Sequence, residues 1–184
     1  MKATGIVRRI DDLGRIVVPK EIRRTIRIRE GEPMEIFTGR DGEIILKKYS
    51  PMGEMAKTAK EYAQVLSQIT GYLVCISDHD QILTANGYGQ REFEGKTISK
   101  ELEQAITDRE TICAGQKESG FIRITQDDDG DSQWQMIAPI ISAGDAIGAV
   151  IIMERGKNAG NQLGENEKLM AQVAAGFLGK QMEQ

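Results

Sequence analysis

Basic side chains crowd one short segment near the beginning of the chain. Residues 8–29 hold three acidic side chains beside eight basic ones: Arg8, Arg9, Arg15, Lys20, Arg23, Arg24, Arg27 and Arg29. A guanidinium group presents five N–H donors in a planar fork that matches phosphate oxygens and the edge of a guanine base. A single surface arginine is more often a solvated charge or the partner of a nearby carboxylate. Eight cations beside three acids therefore favour contact with a phosphate-rich polyanion.

Charge is divided unevenly along the 184 residues, whose net charge is −4. Residues 1–50 contain 12 Lys+Arg and 8 Asp+Glu, whereas residues 51–184 contain 12 Lys+Arg and 20 Asp+Glu. This asymmetry is typical of a nucleic-acid-binding head on an acidic chain. The head has two aromatic residues, Phe37 and Tyr49, and so lacks a stacking platform for single-stranded bases. Duplex DNA is the favoured partner.

Cysteine chemistry is the main enzymatic alternative. Cys75 and Cys113 stand far apart, with no Cys-x-x-Cys motif and no Cys/His cluster. A catalytic thiol needs an activating base and a lowered pKa, and no such base is visible near either residue. Cys75 also lies in an apolar strand, where inert buried thiols are common. The sequence therefore predicts no catalytic residue, although a cysteine-based redox enzyme remains an alternative.

Metal binding and membrane insertion find no support. The acidic run Asp127–Asp131 resembles a calcium loop, but EF-hand spacing would place Met136 where the bidentate glutamate belongs. We expect a solvated hairpin tip there, and a surface position for His79, the single histidine. The sequence has no apolar run of about 18 residues and no secretory signal at its start, so a cytoplasmic location is expected.

The head is predicted to fold as ββαββ. Strands are expected at residues 5–10 and 15–18, then a helix after Pro19, and finally strands at 34–38 and 43–49 joined by an Asp-Gly turn. About fifty residues in this order cannot bury enough apolar surface alone. We therefore expect strands of two chains to interleave in an obligate dimer. One short helix without a second excludes an ordinary helix-turn-helix.

The segment KATGIVRRIDDLGRIVVPKEIRRTIRIREGEPMEIFTGRDGEIILKKY, residues 2–49, resembles the swapped-hairpin DNA-binding domain of the AbrB family of bacterial transition-state regulators. The likeness includes TGIVR, the D-x-L-G-R strand leading to proline, and E-I-R-R-T. It implies an intertwined β-barrel dimer that binds double-stranded DNA. Matched position by position, the implied DNA-binding residues are Arg8, Arg15, Arg23 and Arg24. Charge alone adds Arg9 and Lys20 as neighbouring candidates.

A linker helix is predicted over residues 51–70. Its apolar residues recur at spacings of three and four, which is a heptad pattern: Met52, Met55, Ala59, Tyr62, Leu66 and Ile69. The pattern favours an oligomerisation seam against the same helix of a second chain. Packing of the same stripe on the chain's own domain is the alternative.

Residues 71–184 are predicted to form an α+β domain with strands at 71–77, 81–86, 111–114, 120–125 and 134–154, and helices at 98–110 and 165–182. An apolar stripe is expected on the last helix: Leu169, Met170, Val173, Phe177 and Leu178. The motifs VCISDHDQILTANG and APIISAGDAIGAVIIME resemble GAF domains over about residues 55–180. That likeness implies an antiparallel sheet with flanking helices. It also implies a small-molecule cavity or a dimerisation unit, but no ligand, cofactor or cavity residue can be named.

The combination of the two domains resembles a family of bacterial sporulation regulators. It implies a nucleoid-associated transcriptional regulator in the forespore that activates some genes and represses others. It further implies a homodimer through the head and a homotetramer through the GAF-like domain. An antitoxin is a further alternative, because related swapped-hairpin domains neutralise toxins. Those proteins typically use a flexible tail, whereas this C-terminal half has the periodicity of a folded domain.

Overall fold

The computed structural model describes residues 4–50, 52, 55–155 and 163–183. Outside the described residues lie residues 1–3 of the predicted head, residues 51, 53 and 54 of the predicted linker, and residues 156–162 and 184 of the predicted GAF-like domain. The chain divides into two compact units between Tyr49 and Ser50.

The first unit contains one short helix and one hairpin. Helix α1 is Lys20–Thr25 and follows Pro19, while strands β1 and β2 are Met34–Thr38 and Ile44–Lys48. The strands pair antiparallel, with Phe37 opposite Ile45. Gly42 has a φ of +75°, so the turn between them uses a left-handed conformation that glycine adopts without strain.

The strands predicted at residues 5–10 and 15–18 are absent from the single chain, where both segments lie outside helix and strand. A strand needs a neighbouring strand for its N–H and C=O groups. The described part of this unit supplies none, and apart from Pro19 no residue between 4 and 50 is buried. Its large apolar side chains are exposed: Ile6, Val7, Ile10, Leu13, Ile16, Val17, Ile26, Ile36, Phe37, Ile44, Leu46 and Tyr49. One copy of the unit is therefore an incomplete fold.

The second unit is built on a five-stranded antiparallel sheet in the order β4-β3-β7-β6-β5. Its strands are β3 (Leu73–Ser77), β4 (Ile82–Asn86), β5 (Ile112–Gly115), β6 (Trp134–Ser142) and β7 (Asp145–Glu154). Strands β6 and β7 meet at Ala143-Gly144, where both residues have positive φ. This backbone conformation suits a two-residue hairpin turn, because its twist matches the twist of the flanking strands. Opposite Trp134 on β6 lies Gly115 on β5, where an added Cβ would come within 3.1 Å of the indole ring.

Helices cover both faces of this sheet. Helices α2 (Ala56–Thr70) and α4 (Glu165–Gln181) pack on one face of the sheet, where they cover Val74 and Ile76 of β3. Helix α3 (Lys100–Thr107) packs on the other. Side chains along a strand alternate between the two faces of a sheet, and both faces of β3 are covered by helices. All five of its residues are therefore buried, and four of them are apolar. The helix predicted as a separate linker therefore belongs to the second unit.

Residues 120–125 do not form the predicted strand. Thr125 makes a single bridge to Ile98. Beside this segment the buried amide of Gln135, oriented so that both its polar atoms are satisfied, bonds the N–H and C=O of Ile122. A side-chain amide thus takes the place of a neighbouring strand.

Helix α4 buries a face that overlaps the predicted stripe only in part, since Leu178 is buried and Met170 is partly buried against the core. The residues turned to the sheet are mostly small: Ala171, Ala174, Ala175, Leu178 and Gly179. Leu169 and Val173 of the predicted stripe are 61% and 60% exposed, and Phe177 is also exposed. Small side chains let the helix backbone approach β6 closely, since a Cβ at Gly179 would come within 2.0 Å of the carbonyl oxygen of Ile141.

Among the described residues, none of the helices combines the length and apolar character that a bilayer crossing requires.

Two glycines of α4 allow a matched test of this packing. We expect Gly179→Ala to lower the free energy of unfolding by about 1–3 kcal/mol, because the new methyl group meets strand backbone. Gly176→Ala should instead raise it by about 0.5–1 kcal/mol, since that position is exposed with open space around it. Urea denaturation of both variants would measure the difference, and equal effects would contradict the close approach.

Candidate nucleic-acid interface

A tight loop positions Arg15. The Asp11 carboxylate accepts the backbone N–H groups of Leu13 at 3.0 Å and Arg15 at 2.7 Å, and the Arg15 Nε at 2.8 Å. Gly14 closes the loop with a φ of +76° and donates its N–H to the Asp11 carbonyl. Because 69% of the Arg15 side chain stays exposed, the guanidinium is held at its Nε edge and open to solvent elsewhere.

These bonds favour the ionised form of Asp11. The backbone N–H of Arg15, followed by its guanidinium, holds the pKa of the Asp11 carboxyl below its usual value. Asp11 was not among the residues predicted from the sequence. An aspartate that begins a tight turn commonly accepts backbone N–H groups two residues on, and that signal could have found it.

Helix α1 brings the next two predicted residues together. Arg24 is exposed, while Arg23 is half-buried and its Nε has no hydrogen-bond partner among the described residues. Lys20 begins the same helix and is exposed. Glu21 is the only acidic residue on this helix, so α1 presents a net positive surface.

Arg8 and Arg9 lie in the segment that lacks strand partners, and both are exposed. Arg8 makes one hydrogen bond, to the adjacent carbonyl of Val7 at 3.4 Å. The single chain thus fixes Arg15, Arg23 and Arg24 through local structure and leaves Arg8 and Arg9 on unpaired backbone.

The predicted seam of the linker helix needs correction. Met52, Ala59 and Leu66 are buried in the chain's own core, against the sheet. Met55 and Tyr62 pack partly against the same core, and only Ile69 is exposed. The heptad pattern therefore reflects packing of the helix on the sheet of its own chain. The three buried residues are already covered there and are not exposed to a second chain.

A different apolar surface faces outward from α2 and α4. The rings of Tyr62 and Phe177 stack across the two helices, with centroids 4.7 Å apart. Around this contact lie the exposed side chains of Val65, Ile69, Leu169 and Val173, and we call these four the outer helical face. Soluble chains rarely expose so many large apolar groups together without a partner.

Neither cysteine has the character of a nucleophile. Cys75 is fully buried, and burial raises the pKa of its thiol strongly. Cys113 is exposed on β5, and partial desolvation raises the pKa of its thiol as well. A reactive thiol requires the opposite shift.

His79 is half-buried, in contrast to the predicted surface position. Its Nε2 lies 2.5 Å from the carbonyl oxygen of Ala146, which ties the β3–β4 turn to β7. Its Nδ1 is buried without a hydrogen-bond partner in the described residues.

The acidic run Asp127–Asp131 is also more than a solvated tip. Asp129 accepts a hydrogen bond at 3.1 Å from Arg155, whose side chain is only 6% exposed. Glu92 accepts another from the same guanidinium at 2.8 Å. Because a buried cation needs such partners, two segments distant in sequence are held together by Arg155.

The sheet face opposite α2 and α4 is filled by the chain's own side chains. Phe93, Leu102 and Ile106 are buried there over the apolar residues of β3 and β7. At the rim of this cluster a cleft of about 390 Å³ is lined mainly by charged groups, among them Arg91, Lys96 and Asp127. An apolar ligand cavity over strands 71–77 and 147–153, expected from the GAF resemblance, is thus occupied at the described positions.

The family described as "Stage V sporulation protein T C-terminal, transcription factor" matches residues 54–183 of the chain. Stage V sporulation protein T of Bacillus subtilis (strain 168) is 47% identical over 184 residues, which is 100% of both chains. The chain belongs to the stage V sporulation protein T family. The resemblance of the two domains to sporulation regulators is thereby confirmed.

The first unit of this stage V sporulation protein T family member has relatives of its own. The "Antidote-toxin recognition MazE, bacterial antitoxin" family matches residues 7–54. The transition state regulatory protein AbrB of Bacillus subtilis (strain 168) is 57% identical over 51 residues, covering 28% of this chain and 52% of that protein.

The second unit has the GAF fold. The GAF-B domain of DevS from Mycobacterium smegmatis aligns with a TM-score of 0.54 at 12% identity, over 70% of this chain and 92% of that one. The type II free methionine-R-sulfoxide reductase of Thermoplasma acidophilum gives the same TM-score of 0.54, also at 12% identity, over 71% and 94%. At such identity these likenesses establish the fold alone.

The hydrogen bonds that Asp11 accepts from Arg15 can be tested by lowering the pH. Because the folded-state pKa of Asp11 is depressed, its contribution to stability is present above the usual aspartate pKa and is lost as the pH falls through the folded value. We expect the Arg15 amide resonance to shift at a pH below about 3.9, the usual aspartate value. NMR titration should show this transition in the Asp12→Asn control and not in Asp11→Asn. Its persistence in Asp11→Asn would contradict the assignment.

Proposed function

We propose that this stage V sporulation protein T family member regulates transcription of sporulation genes by binding duplex DNA through paired copies of its first unit. The observation that carries the proposal is the combination, in one small unit, of exposed arginines with exposed apolar segments, residues 5–10 and 15–18, that find no strand partner among the described residues. Pairing two copies would complete the core and double the basic surface in one step.

Arg8, Arg15, Arg23 and Arg24 are the proposed DNA contacts, with Arg9 and Lys20 beside them. The Asp11 loop supports Arg15 in this role, because it orders the backbone while leaving most of the guanidinium open to a phosphate. Duplex recognition would combine phosphate contacts with sequence-dependent shape, because the head has no second helix to enter the major groove.

The second unit is proposed to join two such dimers into a tetramer. The outer helical face supports this role, because Val65, Ile69, Leu169 and Val173 are apolar, exposed and adjacent to the Tyr62–Phe177 stack. Pairing helices α2 and α4 of two chains would bury these residues in a four-helix arrangement. In this proposal the tetramer acts at the nucleoid of the forespore, where it activates some genes and represses others.

Small-molecule sensing is proposed as a secondary role. A ligand would enter the charged cleft beside Phe93, since the apolar face above the sheet is filled. Sensing would require a ligand that prefers one arrangement of the chains over another.

The alternatives fit the residues less well. A cysteine redox enzyme would need a thiolate, whereas the pKa values of both thiols are raised. An antitoxin of the tail-wrapping kind would need a flexible C-terminal segment. The described residues after Ser50 instead form a sheet with a helix-covered core on each face.

DNA binding should depend steeply on salt. If four arginines in each of two subunits meet phosphates, the slope of log affinity against log salt could approach about −7. Arg24→Gln should make the slope less steep by about 2, since two contacts per dimer are lost. Fluorescence anisotropy with a labelled duplex would measure both slopes. Arg123→Gln, an exposed arginine of the second unit, should leave the slope unchanged. A wild-type slope near zero would overturn the proposal.

Assembly through the outer helical face can be tested separately. Val173→Glu should convert tetramers into dimers in native mass spectrometry, because a charge cannot be buried in an apolar contact. Gln172→Glu adds the same charge at a neighbouring exposed position and serves as the control. Tetramers that persist in Val173→Glu would exclude this face as the interface.

A further inference from the structure

Arg27 has an unusual backbone conformation. Among the described residues, three that are not glycine have a positive φ: Arg27 at +53°, Arg109 at +57° and Ala143 at +47°. An L-residue in this left-handed region brings its Cβ close to the following carbonyl oxygen, which costs free energy. Elsewhere the chain fills such positions with glycine, as at Gly31 and Gly42.

Local contacts account for the other two residues. The guanidinium of Arg109 donates a hydrogen bond to the carbonyl of Gly144. Ala143 lies in the β6–β7 turn, and its N–H donates to the Glu183 carboxylate at 3.2 Å. Arg27 has no comparable contact, because its exposed side chain makes no hydrogen bond, ion pair or ring contact with any described residue.

The backbone around Arg27 ends helix α1 in the manner that usually selects glycine. The N–H of Ile28 donates to the carbonyl of Arg23 at 2.8 Å, and the N–H of Arg27 to that of Arg24 at 3.4 Å. This pair of bonds is the helix ending in which the left-handed residue is most often glycine. It also ties Arg27 directly to the backbone of two proposed DNA contacts. Arg109 ends helix α3 with the same pair of bonds, but its guanidinium is held by the Gly144 carbonyl, whereas no described residue holds the guanidinium of Arg27.

We propose that Arg27 is a further DNA-binding residue, which contacts a backbone phosphate next to those met by Arg23 and Arg24. The inference rests on the proposed DNA-binding function and deepens it. Strained backbone tends to persist where a side chain has a task that the fold alone does not require. The bonds at the end of α1 fix where the side chain leaves the backbone, and the absence of a carboxylate partner leaves its charge available.

The test compares Arg27→Gly with Arg27→Lys in the full-length protein. Arg27→Gly removes both the strain and the charge, so its denaturation midpoint should equal or exceed that of wild type. Its salt slope for a labelled duplex should be less steep by about 2, for two copies in the dimer. The ratio of the wild-type affinity to the Arg27→Gly affinity should then fall about tenfold between 50 and 200 mM salt. Arg27→Lys keeps the charge and should retain the wild-type slope.

Two controls separate this inference from the proposed function. Arg40→Gly removes another exposed arginine of the first unit and should leave the slope unchanged. If wild type binds no duplex, the proposed function fails. If Arg24→Gln flattens the slope and Arg27→Gly does not, only the inference about Arg27 is overturned. A lower denaturation midpoint of Arg27→Gly with an unchanged salt slope would likewise overturn it, since the arginine would then stabilise the end of helix α1.

Discussion

The first unit cannot form an interior from one chain, and its proposed assembly follows from that constraint. Two short strands and a six-residue helix leave nearly every apolar side chain in contact with water. Water exposure of so much apolar surface is unfavourable by roughly 25 cal/mol per Å². A second set of strands would remove it, and in the proposed dimer a symmetric partner would supply that set together with a second group of arginines. Folding, assembly and basic charge therefore depend on one another in this unit.

The second unit, in contrast, forms a buried core within one chain. Its sheet is covered on both faces, and its helices use side chains of different sizes on different sides. Alanines and Gly179 bring α4 against the sheet, while larger side chains point outward. A helix that is apolar on two sides can pack on its own sheet and still offer a surface to another chain. The unit can therefore be stable by itself and still take part in assembly.

Structure that depends on neighbours close in sequence could be predicted. The hairpins at Asp41-Gly42 and 134–154 follow from turn residues between apolar runs, and the helix follows from Pro19. Strand 120–125 was predicted wrongly because a buried glutamine side chain replaces the neighbouring strand. The buried face of α4 was predicted only in part, at Leu178 and Met170, because periodicity favours large side chains, whereas close packing selected mostly small ones. In the candidate site, charge surplus pointed to the basic segment, and the AbrB resemblance to Arg8, Arg15, Arg23 and Arg24 within it. Asp11 was missed, although an aspartate that begins a tight turn is a signal in the sequence.

Trp134 is the only tryptophan of the chain, and its ring lies against Gly115 within the second unit. Intrinsic fluorescence excited at the indole band therefore reports the sheet of that unit and is blind to the head. A protein diluted until its heads separate would keep an unchanged emission spectrum while its affinity for the duplex fell. In the proposed dimer, the native emission spectrum and the affinity for DNA would thus be separate properties, and protein concentration would govern only the affinity.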